Sequence, residues 1–135
     1  MLVVISVPVQ ASSNTSNIQN GIIEFQRYIN TNLPPQYLGN NLALNGSCGN
    51  LTKTAAIKLI QYYLNQDGAN LTVDGGFGPL TQNAFESVVG SIQRLQYGKW
   101  VYILQGLLYC HGYDPQGIDG SYGVSGGRGC LFAVN

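Results

Sequence analysis

Carboxylates are the side chains of this chain that could do acid–base chemistry. The acidic residues are Glu24, Asp67, Asp74, Glu86, Asp114 and Asp119. Glycoside hydrolysis needs two carboxyl groups that flank one bond. However, Asp74 and Asp119 each precede a turn glycine, and Asp114 precedes a proline. We interpret Glu24 and Glu86 as residues of exposed helix faces. No matched pair remains, and the sequence therefore predicts no catalytic residue.

Cysteine and histidine offer a second possible chemistry. Cys110 and His111 are adjacent, but neighbouring residues usually point to different faces, and no third orienting group follows them. The cysteine spacing matches no zinc motif. We expect Cys48 to be a small buried apolar residue, whereas Cys110 and Cys130 either form a disulfide or are both buried thiols. The sequence predicts no metal site and no cofactor.

A short loop motif occurs three times in the chain. Leu71–Thr81 reads LTVDGGFGPLT, and Leu42–Thr52 reads LALNGSCGNLT, which matches it position for position. Ile118–Gly123 repeats its core as IDGSYG. Asp or Asn followed by Gly is a turn signal, because the short side chain bonds its own backbone and Gly accepts a positive φ. The repetition predicts a repeated structural unit.

Each motif position receives a predicted structural role. The aromatic between two glycines, Phe77 or Tyr122, is expected to turn inward as an apolar plug, and Cys48 replaces it in the first copy. The second glycine is expected to let backbone pass closely, and Thr52 and Thr81 are expected to cap helices. The motif residues are Asn45, Gly46, Gly49, Thr52, Asp74, Gly75, Phe77, Gly78, Thr81, Asp119, Gly120, Tyr122 and Gly123.

Helices are predicted before each loop. An apolar residue followed by Gln recurs as Phe25-Gln26, Ile60-Gln61 and Leu104-Gln105. Apolar residues at helical spacing over Thr54–Asn65 and Trp100–Leu108 predict amphipathic helices. A helical run is also expected over Gln82–Val89, and short extended pieces over Leu42–Leu44 and Leu71–Val73. The middle helix is expected to close the first unit and open the second.

These features resemble the peptidoglycan-binding repeat that accompanies bacterial cell-wall hydrolases, with the best match over 55–89. The stretch 100–109 is similar to the tail of glycoside-hydrolase-like lysins of Gram-positive bacteria and phages. The resemblance implies a mainly α fold, a small bundle of about three overlapping helix-loop-helix repeats. The expected units are about 21–65, 54–93 and 98–135. The last is expected to stop inside its closing helix, at Ala133 to Asn135.

The resemblance also implies a function. It implies a non-catalytic module that binds peptidoglycan, through the glycan or the stem peptide, and that is covalently linked to a hydrolase domain. The ligand is expected in a groove between the opening helix and the Asp-Gly loop. Departures are Cys48 at the plug position and Gly126 where the third unit should have its capping threonine.

Composition favours a neutral ligand. Charged residues make up 9% of the chain and balance to zero, so there is no basic patch for nucleic acid and no polybasic membrane anchor. No segment is long enough to span a bilayer. Aromatic side chains can stack on sugars, although at helical spacing they can equally belong to the core. The candidate ligand-binding residues are Tyr62, Tyr97, Trp100, Tyr102 and Tyr113.

The first 20 residues suggest a location. Leu2–Val9 is apolar, and Val9-Gln10-Ala11 resembles a signal-peptide cleavage site, which predicts a truncated signal segment and a secreted or cell-wall protein. A first β-strand or an arbitrary fragment edge is the alternative. Ser12–Asn20 is expected to be a flexible linker, which leaves 21–135 as the repeat domain.

Two other functions remain open from the sequence. One is a structural or protein-interaction repeat module without glycan binding, in which the loops only hold the fold. The other is a fragment of a cell-wall hydrolase, in which Asp114, Asp119 and His111 would act.

Overall fold

The fold is mainly helical, as the sequence predicts. The computed structural model describes residues 3–5, 15–91, 98–120 and 132–134, with side chains for the two longer ranges. Its helices are α1 (Thr15–Asn32), α2 (Pro35–Leu38), α3 (Asn50–Gln66), α4 (Pro79–Gly90) and α5 (Lys99–Cys110). Two short strands, β1 (Val3–Ile5) and β2 (Phe132–Val134), pair antiparallel with Val4 opposite Ala133. None of the described helices is both long and apolar enough to cross a bilayer.

Two expectations about the ends of the chain were wrong. Residues 15–20 belong to α1 rather than to a flexible linker, since half-buried Ile18 continues the helical spacing of the buried Ile22 and Phe25. Residues 132–134 form β2 where a closing helix was expected. Their partner β1 is the β-branched run Val-Val-Ile, which favours a strand.

The core lies where α1, α3 and α5 meet, and each of these helices contacts the other two. Its fully buried side chains include Phe25 and Ile29 of α1, Leu59 of α3 and Ile103 of α5. Helix α4 packs on α3 and adds Phe85 to the same cluster. The three helices that carry the Gln motif therefore form the body that supports the loops.

Two glycines let α1 and α5 approach closely. A Cβ built at Gly106 of α5 would lie 2.1 Å from the ring of Phe25, and one at Gly21 of α1 would lie 2.2 Å from the ring of Tyr109. An aromatic ring of each helix thus packs directly against the backbone of the other helix, at Gly106 and at Gly21. No larger residue fits at either position without moving a buried ring.

We expect Gly106→Ala to destabilise the protein by about 1–3 kcal/mol, the usual cost of overpacking a core. Alanine is favoured over glycine in a helix by about 1 kcal/mol, but the fully buried Phe25 cannot give way. Gly90→Ala in α4 is the matched control, since a Cβ there meets nothing within 4 Å. Urea unfolding measures both variants, and a Gly106→Ala protein as stable as the parent would contradict the packing described.

The two expected extended pieces are not strands. In each case an asparagine side chain, from α1 for the first piece and from α3 for the second, takes the place of a strand partner. Leu42 donates its N–H to Asn30 Oδ1 at 2.8 Å and accepts from Asn30 Nδ2 at 3.0 Å. Leu71 is bonded in the same two ways by Asn65. The backbone N–H and C=O groups of Leu42 and Leu71 are therefore satisfied by side-chain amides rather than by a β-ladder.

Candidate functional site

Three loops fold back onto the long helix that precedes them. The first loop (residues 39–49) lies on α1, the second (67–78) on α3 and the third (111–120) on α5. One buried glutamine holds each loop. These glutamines are Gln26, Gln61 and Gln105, which are 1%, 1% and 2% exposed. We call these segments the glutamine-anchored loops.

The same hydrogen bonds recur in all three glutamine-anchored loops. The glutamine Oε1 accepts the backbone N–H of an Asp or Asn at 3.1, 3.0 and 3.1 Å, and that of the next glycine at 3.1, 2.9 and 3.0 Å. Its Nε2 donates to the Oδ1 of that Asp or Asn at 2.9, 3.0 and 3.0 Å. In loop order the pairs are Asn45-Gly46, Asp74-Gly75 and Asp119-Gly120. Their glycines have φ of 73°, 79° and 71°, which confirms the predicted turns.

The motif threonines complete the network rather than cap the helices. Thr52 and Thr81 are each the third residue of a helix, and their hydroxyls accept from Gln26 and Gln61 at 3.0 and 3.2 Å. The N-cap residues are glycines, Gly49 and Gly78. The predicted capping role was wrong because each threonine hydroxyl is needed by a buried amide.

The second glycine of the motif does not mark a close approach of backbone. A Cβ at Gly78 would meet nothing within 4 Å, and one at Gly49 only the Ser47 hydroxyl at 3.9 Å. Both glycines occupy an extended conformation that begins a helix. The expectation of a tight backbone contact was therefore wrong.

Phe77 is not the buried plug that the sequence predicted. It is 38% exposed, and it packs edge-on against the Phe85 ring with 5.9 Å between the ring centroids. Phe85 already fills the core behind the second loop, so Phe77 covers that ring from outside. Tyr122 and Gly123, its expected counterparts in the third unit, lie outside the described residues.

Cys48, at the equivalent position of the first loop, forms a disulfide with Cys110 at the end of α5. Their Cα atoms are 5.5 Å apart, an ordinary separation for a disulfide. The expectation of a free apolar Cys48 was wrong, and Cys110 is not available to pair with Cys130, which lies outside the described residues. The pairing follows from the packing of α1 against α5, which brings the first loop to the end of α5.

One of the candidate aromatic residues, Trp100, serves packing. Trp100 is only 8% exposed, and its Nε1 donates to Asp67 Oδ2 at 3.1 Å. It contacts the rings of Tyr63 and Phe85, so it cannot present a face to a ligand as expected. Lys99 also pairs with Asp67 at 3.1 Å, which ties the start of α5 to the end of α3.

The remaining tyrosines are more accessible. Tyr102 is half-buried and stacks on Tyr28, with 4.7 Å between ring centroids and 14° between planes. Tyr62 is half-buried and packs against Tyr37. Tyr113 is exposed after α5. Tyr97 lies outside the described residues. The structure therefore does not gather the five aromatic candidates into one surface.

The two carboxylates that would act if the chain were a hydrolase fragment form hydrogen bonds that hold the third loop. Asp114 Oδ1 accepts from the Tyr109 hydroxyl at 3.0 Å and from the Gln116 N–H at 2.7 Å. Burial and that bond to Asp114 raise the pKa of Tyr109 to about 12. Asp119 accepts from Gln105. Within the described ranges no three His, Cys, Asp or Glu side chains are grouped to hold a metal ion.

Asp74 is kept ionised by its loop. The Gly76 N–H donates to its Oδ1 at 2.8 Å, and this bond, followed by that from Gln61, lowers the pKa of the carboxyl group. Both bonds favour the carboxylate over the acid. The second loop therefore uses an anion where the first uses the neutral Asn45.

A cleft of about 370 Å³ lies beside the first loop, between residues 38–45 and the first turns of α3. We call it the asparagine cleft, after its lining residues Asn40, Asn41, Asn45 and Asn50. Leu51, which is 81% exposed, stands at its rim. Among the described lining residues Lys58 alone is charged, and its Nζ donates to Tyr37 O at 3.0 Å. The resemblance implies a groove between the opening helix and the Asx-Gly loop, but no described residue of α1 lines this cleft, which lies between the first loop and α3.

No family model, no curated protein and no solved structure matches this chain.

Three residues with clear roles were not predicted from the sequence. Asn30 and Asn65 each follow the anchoring glutamine by one helical turn and hold the segment before the Asx-Gly turn. Tyr109 occupies the corresponding position of α5, and its hydroxyl accepts the Gly117 N–H at 2.9 Å. The repeated Gln-x-x-x-Asn spacing was the signal, since residues four apart share a helix face.

Proposed function

We propose that this chain is a non-catalytic module that binds peptidoglycan and directs a covalently attached hydrolase to the cell wall. The observation that supports the proposal is the glutamine-anchored loop. The Asx-Gly residues that carry the resemblance are held in one hydrogen-bond pattern at three places. We further propose three overlapping repeats, in which α3 closes the first unit and opens the second.

The asparagine cleft is the proposed ligand site. Its side-chain amides both donate and accept hydrogen bonds, which suits the neutral groups of a glycan or a stem peptide. Its apolar lining, including Leu42 and Leu51, suits a cleft that excludes water from a bound group. Tyr62 and Tyr113 stay candidates for contacts outside the cleft.

The disulfide favours an extracytoplasmic location. Cys48–Cys110 closes a large part of the chain, and stable disulfides are rare in reducing compartments. A secreted or wall-associated protein is therefore part of the proposal.

We expect the protein to pellet with purified, protein-free peptidoglycan and to stay bound when salt is raised to about 1 M, where the Debye length falls to about 3 Å. The reason is the low charge of the chain, which leaves neutral contacts to provide affinity. Insoluble cellulose serves as the control polymer. Release by salt, or equal pelleting with cellulose, would contradict recognition of peptidoglycan by neutral contacts.

The same preparation separates the rival functions. Absence of pelleting would favour a structural or protein-interaction module. Release of soluble fragments from labelled peptidoglycan, lost in Asp114→Ala or Asp119→Ala, would establish a hydrolase. We expect pelleting without release, because both carboxylates are engaged in holding the third loop.

A further inference from the structure

Asn45 differs from its counterparts in one chemical group that the loop does not use. In each glutamine-anchored loop the Oδ1 atom of the Asx residue accepts from the glutamine. Asp74 and Asp119 perform this role with a carboxylate. The loop thus requires only an acceptor, and the Nδ2 amide of Asn45 is additional to it.

The orientation of the Asn45 amide is fixed by its neighbours. Gln26 Nε2 at 2.9 Å and the Ser47 N–H at 3.0 Å both donate to one atom, which must be the oxygen. The orientation of Gln26 is fixed in turn, since its other atom accepts the N–H groups of Asn45 and Gly46. Nδ2 makes no hydrogen bond to any described residue, and Asn45 is exposed at the wall of the asparagine cleft.

The cleft beside Asn45 combines an amide donor with apolar surface and further amides. Leu42 and Ala55 contribute apolar lining, and Asn41 and Asn50 contribute carboxamides that can accept as well as donate. A secondary amide matches this set, because its carbonyl accepts one bond, its N–H donates one, and its carbon substituents are apolar.

We propose that the asparagine cleft binds a secondary amide group, with Asn45 Nδ2 donating to its carbonyl oxygen. Such a group occurs in the acetamido substituent of an amino sugar and in the peptide bonds of a stem peptide. That peptidoglycan is the polymer carrying this group follows only from the proposed function. The role of Asn45 in specificity is inferred from the comparison of the three loops and does not depend on that function.

Asn45→Asp tests the role of the amide without removing the loop anchor. It keeps the Oδ1 acceptor, and the second and third loops show that aspartate fits this position. It replaces only the donor by an acceptor. Asp74→Asn, the reverse exchange in a loop that does not line the cleft, is the matched control. Melting curves of both variants should stay close to that of the parent.

The experiment is a titration of ¹⁵N-labelled protein followed by NMR, with the Asn45 side-chain amide as reporter. The probes are an N-acetylglucosamine oligomer, a β-1,4-linked glucose oligomer of equal length, and a free stem peptide. We expect the acetylated oligomer, the stem peptide or both to shift the Asn45 amide signals, and the glucose oligomer to leave them unchanged. In all variants the affinity is read from the backbone amide signals of the cleft residues, because Asn45→Asp lacks the side-chain reporter. It should fall at least about tenfold in Asn45→Asp, as for one lost hydrogen bond, and stay unchanged in Asp74→Asn.

Three results would overturn the proposal: no binding of either amide-bearing probe, equal binding of the glucose oligomer, or undiminished binding by Asn45→Asp. The two amide-bearing probes distinguish the sugar from the peptide source. Pelleting with peptidoglycan while both probes fail would refute this inference and leave the proposed function standing. Probe binding without pelleting would refute the proposed function alone.

Discussion

Replacing Gln61 by alanine is expected to destabilise the protein by about 3–5 kcal/mol, the cost of breaking a buried hydrogen-bond network. This one side chain makes five hydrogen bonds, to Asp74, Gly75, Gly76 and Thr81. Alanine leaves two backbone N–H groups and a buried threonine hydroxyl without a partner. Water can reach part of the loop, which keeps the cost below the sum of the separate bonds.

Gln66→Ala is the control for this experiment. Gln66 lies on the same helix but is exposed, so its loss should change stability by no more than about 0.5 kcal/mol. Urea unfolding gives both values. A loss below about 1 kcal/mol for Gln61→Ala would mean that the second loop does not depend on its anchor.

Breaking the disulfide is expected to cost about 4 kcal/mol. Cys48 and Cys110 are 62 positions apart, and the loop-closure estimate for a ring of that size gives this value. Cutting the link increases the conformational entropy of the unfolded chain. The unfolded state is thereby stabilised, and the free energy of unfolding falls. The experiment compares the Cys48→Ala, Cys110→Ala double variant with the parent in chemical unfolding.

The Cys130→Ala variant is the control for the disulfide experiment. In that variant the Cys48–Cys110 link is the one disulfide that the chain can form, since the chain has three cysteines. We expect a reducing agent to lower its unfolding midpoint as much as the double substitution does. An unchanged midpoint after reduction would show that the link is absent in solution or contributes nothing to stability.

Local chemistry explains what the sequence could predict. The turns at Asn45-Gly46, Asp74-Gly75 and Asp119-Gly120 were predicted correctly because an Asx side chain and a glycine determine the chain reversal within a few residues. The helices followed from apolar periodicity. Both signals are contained in neighbouring residues.

Three of the wrong expectations depend on tertiary packing, which local rules do not capture. Thr52 is a capping residue by local rules, but Gln26 takes its hydroxyl. Phe77 is apolar enough to be buried, but Phe85 occupies the core behind it. Cys48 finds Cys110 only because α1 and α5 pack together.

The candidate site was predictable only in outline. The resemblance predicted a groove between the opening helix and the Asx-Gly loop, whereas the cleft of the first unit lies between that loop and α3. Its asparagine lining was not foreseen, since Asn40, Asn41 and Asn50 carry no motif signal of their own. Trp100 was wrong as a ligand-binding candidate because it shares the helical spacing of a core residue and is one.

The Cys48–Cys110 link also changes the covalent topology of the chain. It closes a ring that contains α3, α4 and α5. A single proteolytic cut inside that ring opens it without separating the chain into two molecules. The nicked protein would keep one mass on a non-reducing gel and divide into two fragments only after reduction. Two cuts, or one cut outside the ring, are therefore needed before any part of the chain can diffuse away.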